Sequence, residues 1–534
     1  MSEAPSNSSP ASASELPDRP FTPYPTLMAE AAAAHPDLPV ITVEGVSLTW
    51  KEFLPRINKV ANILKSRGIG RGDYVAVLAR SSLEYVTVFM GTLASGACIV
   101  PLSGMASSEQ LEGMMNDSGS KMLFGSASTK ELIAPFKGKL KNVPEDGYVA
   151  FDFEDADWQS FDGLMANASE EPVDVDIQPE DPFNLIYSSG TTGVPKGIEQ
   201  SHGMRFQHVI RFQAMGLDEG ATCLVSTSLY SNTTLVAMLP PIAMGGRVIV
   251  MPKFGVEEYL NIAEKERVTH TMLVPVQYHR IMKHEDFDKY DLSSYQLKLS
   301  TSAPLREDVK RDIAARWPGK MIEIYGMTEG GVGTVLSVTE FPDKLGSVGK
   351  AGLGAEIRII DEEGKELPVG EIGEIVGRST AMMNGYHNRP DLTEEMIWMS
   401  SEGERFFKSG DMGRLDEDGF LYLLDRKKDM ILSGGFNIYA ADIEAELIKH
   451  SSIDDVAVIA IPSEEWGETP LGLVVLEKGA KDTAVEIKEW VNARLGKTQR
   501  VSDIVFREEL PRSTIGKILK RELRDEYLKS RTVT

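Results

Sequence analysis

The eleven residues YSSGTTGVPKG, from Tyr187 to Gly197, decide how the rest of this chain is interpreted. The apolar run FNLIY at their start predicts a strand and GIEQS at their end predicts a second one, so the stretch is a candidate hairpin tip. Its glycines allow backbone N–H groups to turn inward around an anion, its Ser and Thr hydroxyls add donors, and Lys196 adds a positive charge. A loop that holds phosphate and a flexible surface turn are both compatible with this pattern.

The stretch differs from a Walker phosphate loop, which has the pattern GxxxxGK[ST] between a strand and a helix. Here Lys196 follows Pro195, and Gly197 stands where a Walker loop has Ser or Thr. Pro195 also prevents a helix from starting directly after Gly193. Any phosphate bound by this loop would therefore be held by a backbone conformation that differs from that of a Walker loop.

Length, composition and charge limit the kind of protein. The chain has 534 residues, 42% hydrophobic and 25% charged, so we expect a folded protein with two or more domains. Its 56 Lys and Arg against 80 Asp and Glu give a formal net charge of −24. Such acidity disfavours nucleic-acid and anionic-lipid partners, so no nucleic-acid partner is expected. A pocket can still be locally positive, so nucleotide binding is not excluded.

Three features of the sequence bear on where in the cell the protein is located. Residues 1–18 are rich in Ser, Ala and Pro, do not have the pattern of a signal peptide, and are expected to form a disordered tail. The window Thr234–Met251 is interrupted by two prolines and two glycines, which favours a buried helix, a turn and a strand over a membrane span. Cys98 and Cys223 lie in apolar runs and are expected to be reduced. We therefore expect a cytoplasmic protein with no membrane span.

Strand-like and helix-like patterns alternate along most of the chain, which predicts an α/β fold. The runs YVAVLA, ACIVPL, RVIVM and THTMLV predict buried strands at residues 74–79, 97–102, 247–251 and 269–274. The pattern changes near Asp416, and the last ~100 residues predict a small α+β module. We place the boundary at residues 425–428, where polarity peaks between two strands, and an ordinary loop there is the alternative.

Five further segments resemble, in order, the motifs of one enzyme superfamily. They are YGMTE (325–329), GYHNRPDLT (385–393), SGDMGRLDEDGFLYLLDRKKD (409–429), SGGFNIYAADIE (433–444) and LPRSTIGKILKREL (510–523). With YSSGTTGVPKG they closely resemble the adenylate-forming superfamily, which contains acyl-CoA synthetases, luciferases and the adenylation domains of peptide synthetases. The resemblance implies a large domain of β-sheets flanked by helices and a small mobile α+β domain. The implied bounds are 19–424 for the large domain, 425–428 for a hinge and 429–534 for the small domain.

The resemblance also implies which residues bind ATP. The quoted loop would hold the β- and γ-phosphates, and Tyr325 would stack on adenine. Asp411 would accept hydrogen bonds from the ribose hydroxyls, with Arg426 nearby. The implied ATP-binding set is Ser188, Ser189, Gly190, Thr191, Thr192, Gly193, Lys196, Ser302, Ala303, Pro304, Tyr325, Gly326, Met327, Asp411 and Arg426.

The same resemblance implies catalytic, metal, hinge and CoA-binding residues. Thr328 would touch phosphate, and Glu329 would bind Mg²⁺, which prefers carboxylate and phosphate oxygens. Lys517 would neutralise the charge on the attacking carboxylate and the α-phosphate. Lys428 would be the hinge about which the small domain swings between adenylate formation and thioester formation. The residues implied to face CoA after that swing are Ser433, Gly434, Gly435 and Phe436.

The sequence departs from the motifs of this superfamily in the segment that would form the acyl pocket. Many acyl-CoA relatives have an aromatic residue followed by His, whereas here Tyr230 is followed by Ser231. Amino-acid-activating relatives place an aspartate in this segment, but residues 226–235 contain no acid, so an amino-acid substrate is not expected. Ser302 also stands where glycine is frequent, which would narrow the nucleotide pocket. The implied pocket lining, each member of which can equally be ordinary core, is Tyr230, Ser231, Asn232, Ile324, Gly330 and Gly331.

The predicted function is that of an ATP- and Mg²⁺-dependent ligase that joins an aliphatic or aryl carboxylic acid to coenzyme A and releases AMP and pyrophosphate. An enzyme that adenylates an acid and loads a separate carrier protein is the alternative. A non-catalytic nucleotide-binding protein is disfavoured because Lys517, Glu329 and Asp411 are all present. Nothing in the sequence indicates a luciferase-type oxidation. The identity of the acid and the oligomeric state, with a homodimer as one option, stay open.

Overall fold

The computed structural model describes residues 19–188, 196–427, 429–433, 436–464, 466–513 and 516–532. The helices are α1 Tyr24–Ala34, α2 Trp50–Ser66, α3 Leu83–Ala94, α4 Ser108–Ser118, α5 Lys130–Ile133, α6 Phe161–Asn167, α7 His202–Ala214, α8 Asn232–Ala243, α9 Val256–Lys265, α10 Pro275–Met282, α11 Glu307–Arg316, α12 Pro390–Glu395, α13 Ala440–Leu447, α14 Ala484–Asn492 and α15 Lys520–Thr532.

The strands are β1 Pro39–Val43, β2 Val46–Thr49, β3 Tyr74–Leu78, β4 Cys98–Pro101, β5 Met122–Gly125, β6 Tyr148–Ala150, β7 Gln159–Ser160, β8 Pro182–Ser188, β9 Lys196–Ser201, β10 Thr222–Val225, β11 Arg247–Val250, β12 His270–Leu273, β13 Leu297–Ser300, β14 Lys320–Gly326, β15 Gly333–Ser337, β16 Lys350–Ala351, β17 Ala355–Ile360, β18 Gly373–Ser379, β19 Gly385–Tyr386, β20 Ile397–Met399, β21 Arg405–Leu415, β22 Leu421–Arg426, β23 Ile431–Ser433, β24 Phe436–Ile438, β25 Ile453–Ser463, β26 Gly467–Leu476 and β27 Asp503–Phe506.

The first sheet has the strand order β16-β15-β14-β13-β12-β10-β11-β1-β2. Its central strands, from β14 to β1, are parallel, and antiparallel strands flank them on both sides. These parallel strands are buried along most of their length, as expected where helices cover both faces. Because parallel strands end at the same edge, the segments that follow β10, β12, β13 and β14 lie side by side.

The second sheet has the order β19-β9-β8-β4-β3-β5-β6-β7. Strands β8 and β9 form an antiparallel hairpin in which Ser188 pairs with Lys196, as the sequence predicts. The largest hydrophobic cluster joins this sheet, the first sheet and the helices between them, with Trp50, Phe89 and Phe183 among its fully buried members. Strand β8 of the hairpin is therefore anchored in the large hydrophobic cluster.

The third sheet has the order β17-β18-β21-β20, with β22 paired to β21. The last part of the chain forms a fourth sheet, β24-β23-β26-β25, with β27 beside β26 and the helices α13 to α15 packed on it. Two hydrophobic clusters fill this last part, and their members all come from residues between Ile431 and Leu528. The carboxyl-terminal part therefore has a core of its own.

The predicted α/β fold class is confirmed, and so are the buried strands. The window Thr234–Met251 forms most of α8, a turn and β11, as expected from its prolines and glycines. Among the described residues, no helix combines the length and apolarity that a bilayer crossing requires. Cys98 and Cys223 are buried thiols without a disulfide.

Candidate active site

The residues that the sequence assigns to ATP and catalysis converge on one edge of the first sheet. Strand β13 ends at Ser300 and leads into the segment with Ser302, and β14 ends at Gly326 and leads into Thr328 and Glu329. In open α/β sheets, ligands bind at the carboxyl ends of parallel strands. This edge is therefore the candidate active site.

The third sheet contributes a carboxylate to this edge. Tyr325 Oη donates a hydrogen bond to Asp411 Oδ2 at 2.7 Å. Asp411 Oδ1 lies 3.7 Å from Nε of Arg426, which pairs with Asp411 across strands β21 and β22. Burial and the neighbouring Asp411 carboxylate raise the pKa of the Tyr325 phenol, so it stays protonated and can donate. The structure thus brings the three residues predicted for the adenosine into direct contact.

Ser302 lies in the left-handed backbone region with a φ of 79°, which is unfavourable for residues other than glycine. Its hydroxyl shares a hydrogen bond of 2.8 Å with the Thr233 hydroxyl on α8. Ala303 and Pro304 follow in the same surface segment, and Pro304 is exposed. The hydrogen bond to Thr233 compensates for the strain that glycine would avoid.

Glu329 is held by a tyrosine from another sheet. Tyr386 Oη donates to Glu329 Oε1 at 2.8 Å, and the same ring lies 5.4 Å from Lys196 Nζ. Burial and the nearby Glu329 carboxylate raise the pKa of Tyr386. Tyr386 therefore links the end of the phosphate hairpin to the predicted metal ligand. Tyr386 belongs to the motif GYHNRPDLT, but its contact with Glu329 was not predicted from the sequence.

Several predicted site residues lie outside the described residues. These are Ser189, Gly190, Thr191, Thr192 and Gly193 of the phosphate loop, the hinge residue Lys428, and Gly434 and Gly435 of the CoA stretch. Ser188 and Lys196 are described and form the last pair of the β8–β9 hairpin.

Gly330 and Gly331, predicted as pocket lining, have positive φ angles of 75° and 81°. A Cβ at Gly330 would overlap the carbonyl oxygen of Ala381, and one at Gly331 would lie 2.9 Å from the carbonyl oxygen of Gly377. These close backbone contacts mean that packing alone requires glycine at both positions. They anchor the turn after β14, including Met327 and Thr328, against β18 and the segment directly after it.

The predicted acyl-pocket segment between β10 and α8 is mostly buried. Ser231 is 7% exposed and precedes α8, while Tyr230 and Asn232 are half-buried. Ile324, on β14, packs against the large hydrophobic cluster. Asn232 Oδ1 accepts a hydrogen bond from Arg205 Nη2 at 3.0 Å, so this side chain is fixed by a buried polar network.

That network was not predicted from the sequence. It consists of Asn184, Gln200, Arg205 and Asn232 and is called here the amide cluster. Arg205 donates to the side-chain oxygens of the other three residues. A signal was present, since Asn184 stands inside the apolar run FNLIY and Gln200 shares the strand face of buried Ile198. Polar residues at core positions indicate a hydrogen-bonded cluster but not its partners.

A second missed cluster lies behind the hairpin. Glu199 Oε2 accepts from Tyr74 Oη at 2.7 Å and lies 2.9 Å from His387 Nδ1. The hydrogen bond to Glu199 raises the pKa of His387 although burial opposes this. Burial alone would raise the pKa of Glu199, but the hydrogen bonds from His387 and Tyr74 lower it overall. The cluster ties β9 to the residues directly after β19.

The loop that carries Lys517 lies against the same sheet edge. A Cβ on Gly516 would be 3.2 Å from Val276 Cγ1 and 3.3 Å from Val274 Cγ2, which follow β12. Lys517 N donates to Ser513 Oγ at 3.2 Å, and Arg512 Nη1 donates to the carbonyl of Gly516 at 2.8 Å. Lys517 is thus held next to the large domain. Ser433, on β23, is 6% exposed and pairs with Phe436 and Gly467.

The described residues fit the groups that the resemblance implies. Asp411 offers carboxylate oxygens that can accept from ribose hydroxyls beside the Tyr325 ring. Glu329 offers a carboxylate for Mg²⁺, which is commonly bound by one or two carboxylates together with substrate phosphates. Within the described ranges, no group of three or more His, Cys, Asp or Glu side chains is arranged to hold a metal ion.

Comparison with known proteins agrees with this geometry. The family model described as AMP-binding enzyme matches residues 28–387, and the model described as AMP-binding enzyme C-terminal domain matches residues 442–517. A feruloyl-CoA synthase of Amycolatopsis sp is 32% identical over 90% of this chain and 94% of its own length. A long-chain-fatty-acid–CoA ligase of Bacillus subtilis is 31% identical over 94% of both chains.

Among solved structures, ATP-bound MatB from Rhodopseudomonas palustris superposes with a TM-score of 0.84 at 28% identity. The match covers 94% of this chain and 99% of MatB. Both the large and the small domain are therefore shared with a protein that has been observed with ATP.

Proposed function

Because the chain belongs to the AMP-binding enzyme family, we propose that it is a carboxylic acid–CoA ligase that works through an acyl-adenylate and releases AMP and pyrophosphate. The observation that carries the proposal is the hydrogen bond between Tyr325 and Asp411 at the sheet edge, because it joins the residues assigned to adenine and ribose. Relatives named as CoA ligases support thioester formation as the outcome.

In this proposal ATP lies along the edge of the first sheet. Tyr325 stacks on adenine, and Asp411 binds the ribose beside Arg426. The phosphate chain extends toward the β8–β9 hairpin, where Lys196 is available to the terminal phosphates. Thr328 and Glu329 lie between these two regions, directly after β14. Mg²⁺ bound at Glu329 would neutralise phosphate charge.

The first step joins the acid to AMP. A carboxylate oxygen of the acid attacks the α-phosphorus, the bond from this phosphorus to the bridging oxygen of the β-phosphate breaks, and pyrophosphate leaves. Lys517 stabilises the negative charge that carboxylate and α-phosphate share in this step, because a preorganised cation is most effective where charge develops. The position of Gly516 against Val274 and Val276 supports this role.

The second step transfers the acyl group to CoA. The sulfur of CoA attacks the acyl carbon, its thiol proton is released, and AMP leaves. We propose that residues 429–534 rotate about a hinge at 425–428, centred on Lys428, so that the stretch from Ser433 to Phe436 faces the site. The separate hydrophobic clusters of the carboxyl-terminal part support movement as one body.

The acid in this proposal is aliphatic or aryl. Tyr230 and Ser231 directly precede α8 and Asn232 begins it, and α8 contributes to the large hydrophobic cluster against which Ile324 packs. No acidic residue stands in residues 226–235 to pair with an ammonium. Burying an ammonium without a partner would cost roughly several kcal/mol of free energy. The names of the relatives, feruloyl and long-chain fatty acid, cover both classes.

The test is pyrophosphate release from Mg·ATP over a panel of fatty, aryl and amino acids, each with and without CoA. Release with fatty or aryl acids, accompanied by their CoA thioesters when CoA is present, is the expected result. Pyrophosphate release without thioester formation would indicate that a carrier protein, and not CoA, accepts the acyl group. Absence of release with every acid would contradict the proposal.

A further inference from the structure

Arg205 is a buried cation without an acidic partner. It lies on α7 and is 1% exposed. Within the described part of the chain, its guanidinium forms no ion pair with a carboxylate, and its partners are amide oxygens, the His208 ring and the face of the Phe183 ring. Burial lowers the pKa of Arg205 to about 9. Burying a charge in this way costs free energy, so a side chain chosen only for packing would be apolar.

Arg205 determines the orientation of two neighbouring amides, because a guanidinium can only donate. Arg205 Nε donates to Asn184 Oδ1 at 2.9 Å, which leaves Asn184 Nδ2 to donate to Gln200 Oε1 at 2.9 Å. Arg205 Nη2 donates to the same Gln200 oxygen. With Oε1 occupied by two donors, the Gln200 amide can present only its NH₂ group to its other neighbours, one of which is Asn232 Oδ1 at 3.5 Å.

The shorter of the hydrogen bonds that this NH₂ group donates goes to the main chain of the candidate catalytic turn. Gln200 Nε2 donates to the carbonyl oxygen of Thr328 at 2.6 Å. If the Gln200 amide were reversed, two oxygens would face each other at this point. The next residue, Glu329, is fixed by Tyr386. The backbone of the turn therefore accepts one hydrogen bond from Gln200 on β9, at Thr328, and one from the main-chain N–H of Met383, at Glu329. Tyr386 on β19 holds the Glu329 side chain.

We propose that Arg205 is a positioning residue for adenylate formation: by fixing the amide of Gln200, it holds the backbone of Thr328 and so places Thr328 and Glu329 for the reaction. This inference rests on the function proposed above. Because β9 begins at Lys196, the same hydrogen bond also fixes the distance between the phosphate hairpin and the catalytic turn. Displacement of a catalytic group by about 1 Å can reduce a rate by about 100-fold.

The decisive variant is Gln200→Glu, which separates positioning from stability. A glutamate gives Arg205 the carboxylate partner that it lacks, so we expect the thermal midpoint to be kept or raised. The same change places an acceptor oxygen against the Thr328 carbonyl and removes the donor. We expect kcat for pyrophosphate release to fall about 10- to 100-fold, with a smaller change in the KM for ATP. A stable variant with wild-type kcat would overturn the proposal.

Two substitutions of Arg205 decide the question if Gln200→Glu does not fold. Arg205→Lys keeps a donor-only cation, and Arg205→Met keeps the length without donors. We expect the lysine variant to recover a large part of the kcat that the methionine variant loses. The double variant Arg205→Met with Gln200→Met should be no slower than the slower single variant. Equal kcat for both Arg205 variants and wild type would contradict the inference.

Lys298→Met is the matched control. Lys298 is fully buried and donates to the carbonyls of Trp317, Pro318 and Gly319, so it is a second cation held by neutral acceptors. It lies near the start of β13, whereas the candidate site follows the end of that strand. We expect this control to lose stability but keep kcat. A comparable loss of kcat in the control would show that any buried-cation defect suffices, which contradicts a specific role for Arg205.

Hydrogen exchange provides a readout that does not depend on turnover. In full-length protein, Gln200→Glu should speed exchange of the peptide that covers residues 326–332, relative to wild type and to Lys298→Met. Unchanged exchange there would overturn the positioning role. A wild-type protein that releases no pyrophosphate with any acid would contradict the proposed function instead, so the two failures are distinguishable.

Discussion

At the scale of single residues, Ser302 shows how a site can tolerate an unfavourable backbone. Its φ of 79° costs about 1–2 kcal/mol for a residue with a Cβ, and its hydrogen bond with Thr233 returns about 0.5–1.5 kcal/mol. Ser302→Ala keeps the strain and loses the bond, so it should be destabilised by about 1 kcal/mol. Ser302→Gly loses the bond but also the strain, so it should stay close to wild type. Thermal unfolding of both variants tests this, and equal destabilisation would argue against strain at this position.

Lys517 carries the residue-scale prediction about chemistry. If it acts on the carboxylate and α-phosphate, Lys517→Ala should reduce pyrophosphate release by at least about 100-fold. The same variant should still convert supplied acyl-adenylate and CoA into thioester at a rate close to wild type, since that step does not need this cation. Rapid-quench measurement of both half-reactions provides the comparison. Equal losses in the two half-reactions would contradict the assigned role.

At the scale of elements, the Glu199–His387 pair connects β9 with the segment after β19 and makes stability depend on pH. The folded protein raises the pKa of His387, so the pair stabilises fully below the unfolded pKa of about 6.5 and its contribution is lost as the pH rises through the folded pKa. Glu199, whose pKa is lowered, contributes above about pH 4.3 and loses its contribution as the pH falls through its folded pKa.

His387→Asn should therefore lower the thermal midpoint most near pH 6 and least near about pH 9. Both side chains are largely buried, at 13% and 16% exposure, so solvent screening does not remove the effect. The control is the same substitution in a Glu199→Gln background, where the pH dependence of the difference should disappear. A difference that is constant across this range would show that His387 acts by packing alone.

The elements also show how far sequence reasoning extends. The β8–β9 hairpin and the strands before the site were predictable because each depends on local alternation and turn residues. The bond from Gln200 to Thr328 was not, since it joins residues 128 positions apart. The alternation of residues along β9 places the Gln200 side chain on a buried face, but the packing of the two sheets determines which residue it contacts. The hydrogen bond between Tyr386 and Glu329 was not predictable for the same reason, since it also depends on how two sheets pack.

At the scale of the whole molecule, the carboxyl-terminal part contacts the large domain through charge as well as through Gly516. Lys283 follows α10 and its Nζ lies 2.6 Å from Asp454 Oδ1 and 2.7 Å from Glu477 Oε1. His279 Nε2 lies 3.3 Å from the same Asp454 oxygen. Although desolvation opposes it, the hydrogen bonds to Asp454 and Glu477 raise the pKa of Lys283. These pairs link α10 of the large domain to β25 and to the residues after β26.

Lys283→Glu should weaken the arrangement in which Lys517 lies at the sheet edge, because it places a third carboxylate beside Asp454 and Glu477. Exposed ion pairs contribute about 0.2–1 kcal/mol each, so we expect pyrophosphate release to slow several-fold rather than to stop. Thioester formation from supplied acyl-adenylate should be unchanged or faster, since that step uses the other arrangement. Salt screens such pairs, so raising the ionic strength should bring wild type toward the variant.

Lys289→Glu is the matched control for this whole-molecule prediction. It makes the same change of charge on the large domain, but its partner Asp286 belongs to the same short segment, so no contact with the carboxyl-terminal part is lost. Its half-reactions should match wild type at every ionic strength. If Lys283→Glu behaved like this control, the ion pairs at Asp454 would be incidental, and the docking of the Lys517 loop would depend on apolar contacts such as Gly516 with Val274 and Val276.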